Sequence, residues 1–309
     1  MKNNKILFTL LFYLSFYACY VNAEDNYSKN ILESSFIIFE NQDYTKLEFS
    51  HALPNLISKD SQLFIYTPGS MSDDKKEDIC STFNEYNYLA NIFFEINKKK
   101  IDYFYLNCSN NIEGDARIHD GNNFPYPYPG DSKHKKIRIN LINLIEDFKK
   151  KGFKKNKIFL IGHSCGAWHS LYVLSQNPNL ANAVIGFSPS CFGPRYLYYK
   201  REGFLRIRKN DIDNILNAKT LKALIFSDPD DIRESYLTLK WLKKIKGVKL
   251  IQTLKRKKNY YYNDSQVCKF ESDLNKKRFN IMDGHNLHFS SCFSLYSNDI
   301  LSFLEKKII

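Results

Sequence analysis

The sequence of 309 residues has few of the residues that mark fibrous or irregular chains. It contains only 12 glycines and 9 prolines, which excludes collagen-like and low-complexity proteins. Hydrophobic residues make up 43% of the chain and aromatic residues 15%, too much for a disordered protein. A mean hydropathy of −0.43 excludes a polytopic membrane protein. With these classes excluded, the sequence indicates a globular protein, and the chain is long enough to bury a sizeable core.

Arginine is also scarce. The formal net charge is +12, but it comes from 36 lysines and only 9 arginines. Arginine is the better ligand for phosphate, because its planar fork binds two oxygens at once. We therefore interpret the lysine clusters as solvated helix ends and loops, and expect no nucleic-acid partner. The alternative is a basic protein that binds acidic polymers, whose affinity would fall steeply with salt.

A long apolar run occurs only at the N-terminus. Lys2 and Lys5 precede an apolar stretch over 6–21, which ends in a small-x-small cleavage pattern. The pattern predicts a signal peptide over 1–23, followed by a single mature domain over 24–309. The stretch is too short for a typical membrane span. We therefore expect a secreted or periplasmic protein with no membrane span in the mature chain.

Six cysteines follow the predicted leader, enough for up to three disulfides in an oxidising compartment. Six cysteines allow 15 pairings, and the sequence does not choose among them. Proximity along the chain suggests Cys80 with Cys108 and Cys268 with Cys292. No cysteine pair has the close spacing of a zinc knuckle, and the sequence has no His-Glu-x-x-His motif. The sequence thus predicts no metal site.

Short apolar runs alternate with amphipathic stretches along the mature chain. The runs are rich in Ile, Phe, Val and Tyr, and they occupy 62–67, 101–106, 157–162, 183–188 and 222–227. Continuous apolarity is typical of strands that are buried on both faces of a parallel sheet. Helical patterns occupy 78–98, 137–151, 166–176, 233–246 and 294–306. The order predicts an α/β fold with a mostly parallel, doubly wound sheet flanked by helices.

Four segments depart from this alternation. The segments 35–40 and 44–50 are predicted to be antiparallel leading strands. The segment 193–218 is rich in Tyr and Phe, and we interpret it either as a small lid-like insertion or as a packed surface excursion. The polar segment 255–277 is predicted to be a surface insertion.

The sequence Gly-His-Ser-Cys-Gly at 162–166 carries the most specific chemical signal. It follows an apolar strand and opens a helix, which is the setting of a nucleophile elbow. A serine on such a tight turn needs neighbours without side chains, here Gly162 and Gly166. The start of the helix offers backbone N–H groups to a developing oxyanion. Ser164 is therefore the predicted nucleophile.

A nucleophilic serine needs a base, and the base needs an acid to orient it. In this type of fold the chain order is Ser, acid, His, each at the end of a strand. Asp228, Asp230 and Asp231 follow the fifth apolar run. His285 and His288 follow a shorter run over 279–282. Each group supplies a candidate at the expected place.

With these motifs, the chain resembles the α/β-hydrolase superfamily, and within it the single-domain hydrolases of the dienelactone-hydrolase and esterase type. The resemblance covers nearly all of 60–305. In that family the acid often lies three residues past the first loop residue after its strand, which implies Asp230, with Asp228 and Asp231 still open. The family histidine commonly follows a glycine, which implies His285, with His288 as the alternative.

The resemblance also implies two N–H donors for an oxyanion hole. One is the backbone of Cys165, directly after the nucleophile. The other follows an early strand, where we assign Ser70 with Gly69 as the alternative. Families often carry His-Gly at the place of Pro68-Gly69, so the proline is a departure from the pattern.

The function implied by the resemblance is that of a secreted serine hydrolase that cleaves a small-molecule ester through an acyl-enzyme. Ser164, His285 and Asp230 would form the triad, and no cofactor would be required. A serine peptidase with the same triad is an alternative. A binding protein that has kept a hydrolase scaffold without activity is another, because fold does not prove function.

Overall fold

The structure is a computed structural model that describes residues 35–38, 48–50, 61–69, 103–107, 131–198, 202–253, 256–257, 260–263, 266–267, 285, 288 and 291–305. Several sequence-based predictions lie outside these residues. They include the signal peptide over 1–23, the helix over 78–98, the run over 279–282, the oxyanion residue Ser70, and the suggested disulfides of Cys80 with Cys108 and of Cys268 with Cys292.

An eight-stranded sheet forms the centre of the described structure, with the order β2-β1-β4-β3-β5-β6-β7-β8. The strands are β1 (Ser35–Ile38), β2 (Glu48–Ser50), β3 (Leu63–Thr67), β4 (Tyr103–Leu106), β5 (Ile158–His163), β6 (Ala183–Phe187), β7 (Thr220–Ser227) and β8 (Lys246–Gln252). The six strands from β4 to β8 in this order are parallel, whereas β1 is antiparallel to both β2 and β4. The mostly parallel sheet and its two antiparallel leading strands are confirmed.

The central strands are apolar throughout because both faces of the sheet are covered. Every residue of β3, β5 and β6 is buried. Their registers align Ile65 with Leu160, and Leu160 with Val184. A strand covered on one face only would alternate apolar and polar residues. The continuous apolar runs in the sequence therefore predicted the central strands of this sheet correctly.

Five α-helices lie in the described residues: α1 (Asp131–Lys150), α2 (Cys165–Gln176), α3 (Arg195–Tyr198), α4 (Glu202–Leu216) and α5 (Ser297–Glu305). The helix α2 contacts β3, β5, β6 and β7, and both α1 and α4 pack against it. Trp168 of α2 is fully buried, and its Nε1 donates to Asp211 Oδ2 of α4 at 2.8 Å. Arg138 of α1 forms an ion pair with the same carboxylate. This buried polar link joins all three helices.

The helix predicted over 233–246 is wrong. The structure has turns after β7, then a 3-10 helix over Lys240–Lys244, and then β8. Backbone bonds such as Leu242 N to Leu239 O span three residues, so the segment is wound more tightly than an α-helix. The sequence pattern did not predict the strand β8. It is a half-exposed edge strand whose lysines interrupt the apolar run. Lysines on an edge strand discourage pairing with other chains.

The two predicted insertions have secondary structure of their own. The segment 193–218 contains α3 and α4, and Phe204, Ile207 and Ile215 of α4 belong to the hydrophobic core. A role of this segment as a lid stays a prediction. The segment 255–277 contains a separate small sheet of three strands, β9 (Arg256–Lys257), β10 (Tyr260–Asn263) and β11 (Gln266–Val267). In the described residues, no helix has the length and apolarity needed to cross a membrane.

Candidate active site

Ser164 lies on the sharp turn between β5 and α2. Its backbone has φ 51° and ψ −120°, a conformation that non-glycine residues rarely adopt. The turn is fixed from both sides, since Ser164 N–H donates to Phe187 O at 2.9 Å and Ser164 O accepts from Trp168 N–H at 3.1 Å. The side chain is neither fully buried nor fully exposed. The structure thus places a partly accessible hydroxyl on a strained strand-to-helix turn.

Both glycines of the motif are required by close approach of the backbone. A Cβ at Gly162 would lie 2.5 Å from the nitrogen of Ala167. A Cβ at Gly166 would lie 2.0 Å from the carbonyl oxygen of Thr67. Both distances are far below van der Waals contact, and the neighbouring atoms are backbone atoms that cannot turn aside. The glycines let α2 start directly against the ends of β3 and β5.

The loop after β6 contacts the Ser164 side chain directly. The Ser164 hydroxyl donates to the carbonyl oxygen of Ser190 at 3.1 Å. Ser190 N–H in turn donates to Ser164 O, also at 3.1 Å. The hydroxyl is therefore directed at this carbonyl in the structure, and not at an imidazole. Sequence reasoning gave Ser190 no role, because it lies 26 residues from Ser164 in an irregular segment.

Asp231 holds His285. Its Oδ2 lies 2.7 Å from His285 Nδ1, and the side chains of the pair are 0% and 5% exposed. The other oxygen, Oδ1, accepts the Arg233 N–H at 2.8 Å. The Arg195 guanidinium donates to the backbone carbonyl of Asp231 at 2.9 Å. Both carboxylate oxygens and the backbone of Asp231 are thus fixed, which holds the imidazole in one orientation.

The structure brings Asp231 to this histidine, and not Asp230, the aspartate chosen from the sequence. Asp230 is exposed, and its N–H donates to Asp228 Oδ1 at 2.6 Å. This local turn directs Asp230 outward and brings the following residue, Asp231, toward His285. Asp228 is buried and stabilises the same turn, since its backbone carbonyl accepts a hydrogen bond from Tyr236 N–H.

Three buried imidazoles lie together at the carboxyl ends of the parallel strands. His163 packs between the others, with ring centroids 4.7 Å from His285 and 4.4 Å from His288. His163 Nε2 lies 3.1 Å from the carbonyl oxygen of His285, so this nitrogen carries the proton and donates. Burial, then His288 and His285, lower the pKa of His163 well below its ordinary value. A neutral His163 therefore holds the backbone of His285 in place.

His288 occupies an aromatic pocket and not the position beside the carboxylate. Its ring stacks on Phe187 with centroids 4.8 Å apart, and its Nε2 lies 3.3 Å from Tyr66 Oη. Burial, and then His285, lower the pKa of His288 well below its ordinary value. Of the two candidate histidines, the structure brings His285 to an acid and places His288 among aromatic rings.

Backbone N–H groups also lie close to Ser164. Cys165 is the first residue of α2, and the first N–H groups of an α-helix have no partner inside the helix. On the other side, a Cβ at Gly69 would lie only 2.8 Å from Ser164 Cβ. The loop after β3 therefore approaches Ser164 at Gly69, the alternative to Ser70 in the sequence-based assignment.

A disulfide joins Cys165 to Cys191, with Cα atoms 4.2 Å apart. Disulfide formation was predicted from the even number of cysteines, but this pair was not singled out. His169 Nε2 lies 3.3 Å from Cys165 Sγ, and His134 Nδ1 lies 3.7 Å from Cys191 Sγ. All four side chains are buried. The one signal in the sequence was Cys165 and His169 spaced four apart on a helix, which places them on the same face.

Taken together, the parallel sheet, the elbow at the end of β5 and the acid after β7 give the α/β-hydrolase arrangement that the sequence predicted. No protein-family model and no curated protein sequence matches the chain. The fold class therefore depends on strand order and on the geometry of the turn.

Solved structures with a similar fold include esterases and a peptidase. Est1E from Butyrivibrio proteoclasticus has a TM-score of 0.47 and 12% identity, over 88% of this chain and 92% of that one. A ferulic acid esterase from Anaeromyces mucronatus has a TM-score of 0.44 and 16% identity, over 71% and 76%. Oligopeptidase B from Leishmania major has a TM-score of 0.43 and 12% identity, over 77% and 33%. Similarity this low carries no argument about reaction or substrate.

Proposed function

We propose that the protein is a serine hydrolase that cleaves a small-molecule carboxylic ester through an acyl-enzyme. The observation that carries the proposal is the buried Asp231–His285 pair, at 2.7 Å, on the sheet edge where Ser164 lies on its strained turn. A carboxylate on the Nδ1 side of an imidazole leaves Nε2 to accept a proton. Asp231 takes the role that the sequence gave to Asp230.

In the proposed first step, the Ser164 hydroxyl leaves Ser190 O, its partner in the structure, and turns toward His285. Catalytic hydrogen bonds are often made only when substrate is bound. His285 Nε2 takes the hydroxyl proton as Oγ bonds to the ester carbonyl carbon. The Nδ1–H of His285 keeps its proton and donates a hydrogen bond to Asp231 Oδ2, and this carboxylate stabilises the imidazolium that forms.

The oxyanion of the tetrahedral intermediate would be stabilised by the Cys165 N–H at the start of α2. The helix dipole adds positive potential at this position. We assign the second donor to the loop after β3, at Ser70 or Gly69, because Gly69 lies against Ser164. His285 then gives its proton to the leaving alcohol, and a water activated by the same imidazole hydrolyses the acyl-enzyme.

We also propose that residues 1–23 direct secretion and are then removed. The basic start, the apolar run and the cleavage pattern support this. N-terminal sequencing of the mature protein should begin at Glu24. A mature chain that keeps Met1 would contradict it.

Labelling with a fluorophosphonate probe tests the nucleophile. The wild type should be labelled, and Ser164→Ala should not, with a loss of activity of about 10⁶-fold on activated esters. Ser190→Ala is a matched control, because it removes a nearby hydroxyl but keeps the carbonyl that contacts Ser164. Equal labelling of Ser164→Ala and wild type would refute the assignment.

A panel of short p-nitrophenyl esters and peptide amides separates esterase from peptidase activity. We expect turnover of the esters and none of the amides. If the folded protein turns over neither and no serine-directed probe reacts, the proposed function is wrong, and a binding protein on a hydrolase scaffold is favoured.

A further inference from the structure

Four metal-binding side chains converge on the start of α2 from three segments of the chain. Cys165 and His169 come from α2, His134 from α1, and Cys191 from the loop after β6. Their ligand atoms all lie within 4.8 Å of one another, and the residues are at most 6% exposed. The hydrolase mechanism uses none of these four side chains.

We propose that, when the Cys165–Cys191 disulfide is reduced, these four residues bind one Zn²⁺ ion in a tetrahedral Cys2His2 site. Two thiolates and two imidazoles are a set of ligands typical of structural zinc. A set of four protein ligands leaves no open position for substrate, so the site is structural. The inference does not depend on the proposed hydrolase activity.

The distances between ligand atoms fit such a site. Zinc–sulfur bonds of about 2.3 Å and zinc–nitrogen bonds of about 2.0 Å set tetrahedral S···N distances of about 3.5 Å. His169 Nε2 lies 3.3 Å from Cys165 Sγ and 3.6 Å from Cys191 Sγ. His134 Nδ1 lies 3.7 Å from Cys191 Sγ. Zinc binding then mainly requires the two sulfurs to separate once their bond is broken.

The charge balance also favours zinc in this buried place. Reduction by a thiol or phosphine adds two electrons and two protons to the disulfide, and Zn²⁺ then displaces the two protons. The ion and two thiolates sum to zero charge, so the filled site avoids the cost of an unpaired buried charge. The disulfide and the zinc site exclude each other, because the same two sulfurs serve both.

Binding also requires a change of tautomer at His169. Arg138 Nε donates to His169 Nδ1 at 3.3 Å in the disulfide form, which places the imidazole proton on Nε2. Zinc needs the Nε2 lone pair, so the proton must move to Nδ1 and Arg138 must give up this contact. Arg138 keeps its ion pair with Asp211. The nitrogen chemical shifts of His169 should therefore differ between the two forms.

Both forms would fix the same part of the candidate active site. Ser190, next to Cys191, exchanges two hydrogen bonds with Ser164, and Cys165 follows Ser164 directly. A bond between the sulfurs, or a zinc ion between them, cross-links the loop after β6 to the elbow. The inferred role of zinc is to maintain this cross-link when the disulfide is absent.

The test compares the full chain purified with a phosphine reductant and with an oxidant, each incubated with zinc and then desalted. We expect about one zinc per reduced chain and none per oxidised chain. Cobalt in place of zinc should give thiolate-to-metal charge transfer and the strong d–d bands of tetrahedral coordination. A reduced wild type that keeps no zinc, or octahedral cobalt, would overturn the proposal.

Variants then separate this cluster from the other cysteines. His134→Gln, His169→Gln and the double change Cys165→Ser with Cys191→Ser should each lose zinc. His288→Gln is the matched control, since His288 is an equally buried histidine outside the cluster, and it should keep zinc. Zinc content unchanged in the cluster variants would show that other residues bind the ion. If a variant fails to fold, the cobalt spectrum of the reduced wild type still decides.

Discussion

At the scale of single residues, the two neighbours Asp230 and Asp231 have opposite environments. Asp230 is exposed, whereas Asp231 is fully buried and contacts His285. Sequence spacing could not separate them, because a shift of one residue in a turn changes which side chain points inward. The turn itself depends on Asp228, whose carboxylate accepts the Asp230 N–H.

Asp231→Asn should lower kcat/KM on an activated ester by about 10⁴-fold, because an amide favours the wrong imidazole tautomer. The matched variant Asp230→Asn should change kcat/KM less than about twofold, since its carboxylate is in solvent. Steady-state kinetics of both variants, with folding checked by circular dichroism, measures this. A larger loss in Asp230→Asn would reverse the assignment.

His288 gives a second prediction at this scale. Burial lowers its pKa, so the folded state holds a neutral ring, whereas the unfolded chain takes up a proton below pH of about 6.5. The groups that face it are His285, His163 and the Tyr66 hydroxyl. In this window the unfolded state binds more protons, and stability therefore falls as the pH falls.

Urea unfolding at about pH 7.5 and about pH 5.5 measures the effect. The free energy of unfolding should fall by up to about 1.4 kcal/mol per pH unit for this one proton. His288→Gln should have a smaller loss, because it removes the group that titrates. If the two proteins lose the same stability on acidification, His288 is not the responsible group.

At the scale of elements, the turn between β5 and α2 was readable from the sequence. Its glycines are local requirements, and the apolar run before it marks a buried strand. The prediction of a helix over 233–246 was wrong, because contacts with residues that are distant in the sequence determine the conformation of this segment. Glu234, fully buried in it, pairs with Arg208 of α4, and Arg195 of α3 donates to Ser235.

Gly166→Ala tests the close packing of this turn. Its Cβ would lie 2.0 Å from the carbonyl oxygen of Thr67, so we expect a loss of about 1–3 kcal/mol of stability, with lower activity. Gly186→Ala is the control, because its Cβ would meet Ile225 Cδ1, the end of a flexible side chain, at 2.8 Å. Denaturant unfolding of both should show the larger loss in Gly166→Ala. Equal stability of Gly166→Ala and wild type would contradict the close approach.

At the scale of the whole molecule, the parallel sheet brings distant segments to one edge. Ser164 after β5, Ser190 after β6 and Asp231 after β7 meet there, because all carboxyl ends of parallel strands lie on the same side. The same convergence assembles the Cys2His2 cluster beneath the elbow. One edge thus carries both the candidate hydrolase site and the proposed zinc site.

The sequence by itself determined the class of fold, the elbow at Ser164 and the group of acids from which one contacts His285. These depend on short-range patterns, namely apolar runs and the glycines of a tight turn. Only the tertiary structure determines that Asp231 contacts His285 and that the Ser164 hydroxyl donates to Ser190. It also brings together four metal-binding side chains from three segments. Such choices depend on side-chain direction and on packing between distant parts of the chain, which residue spacing does not encode.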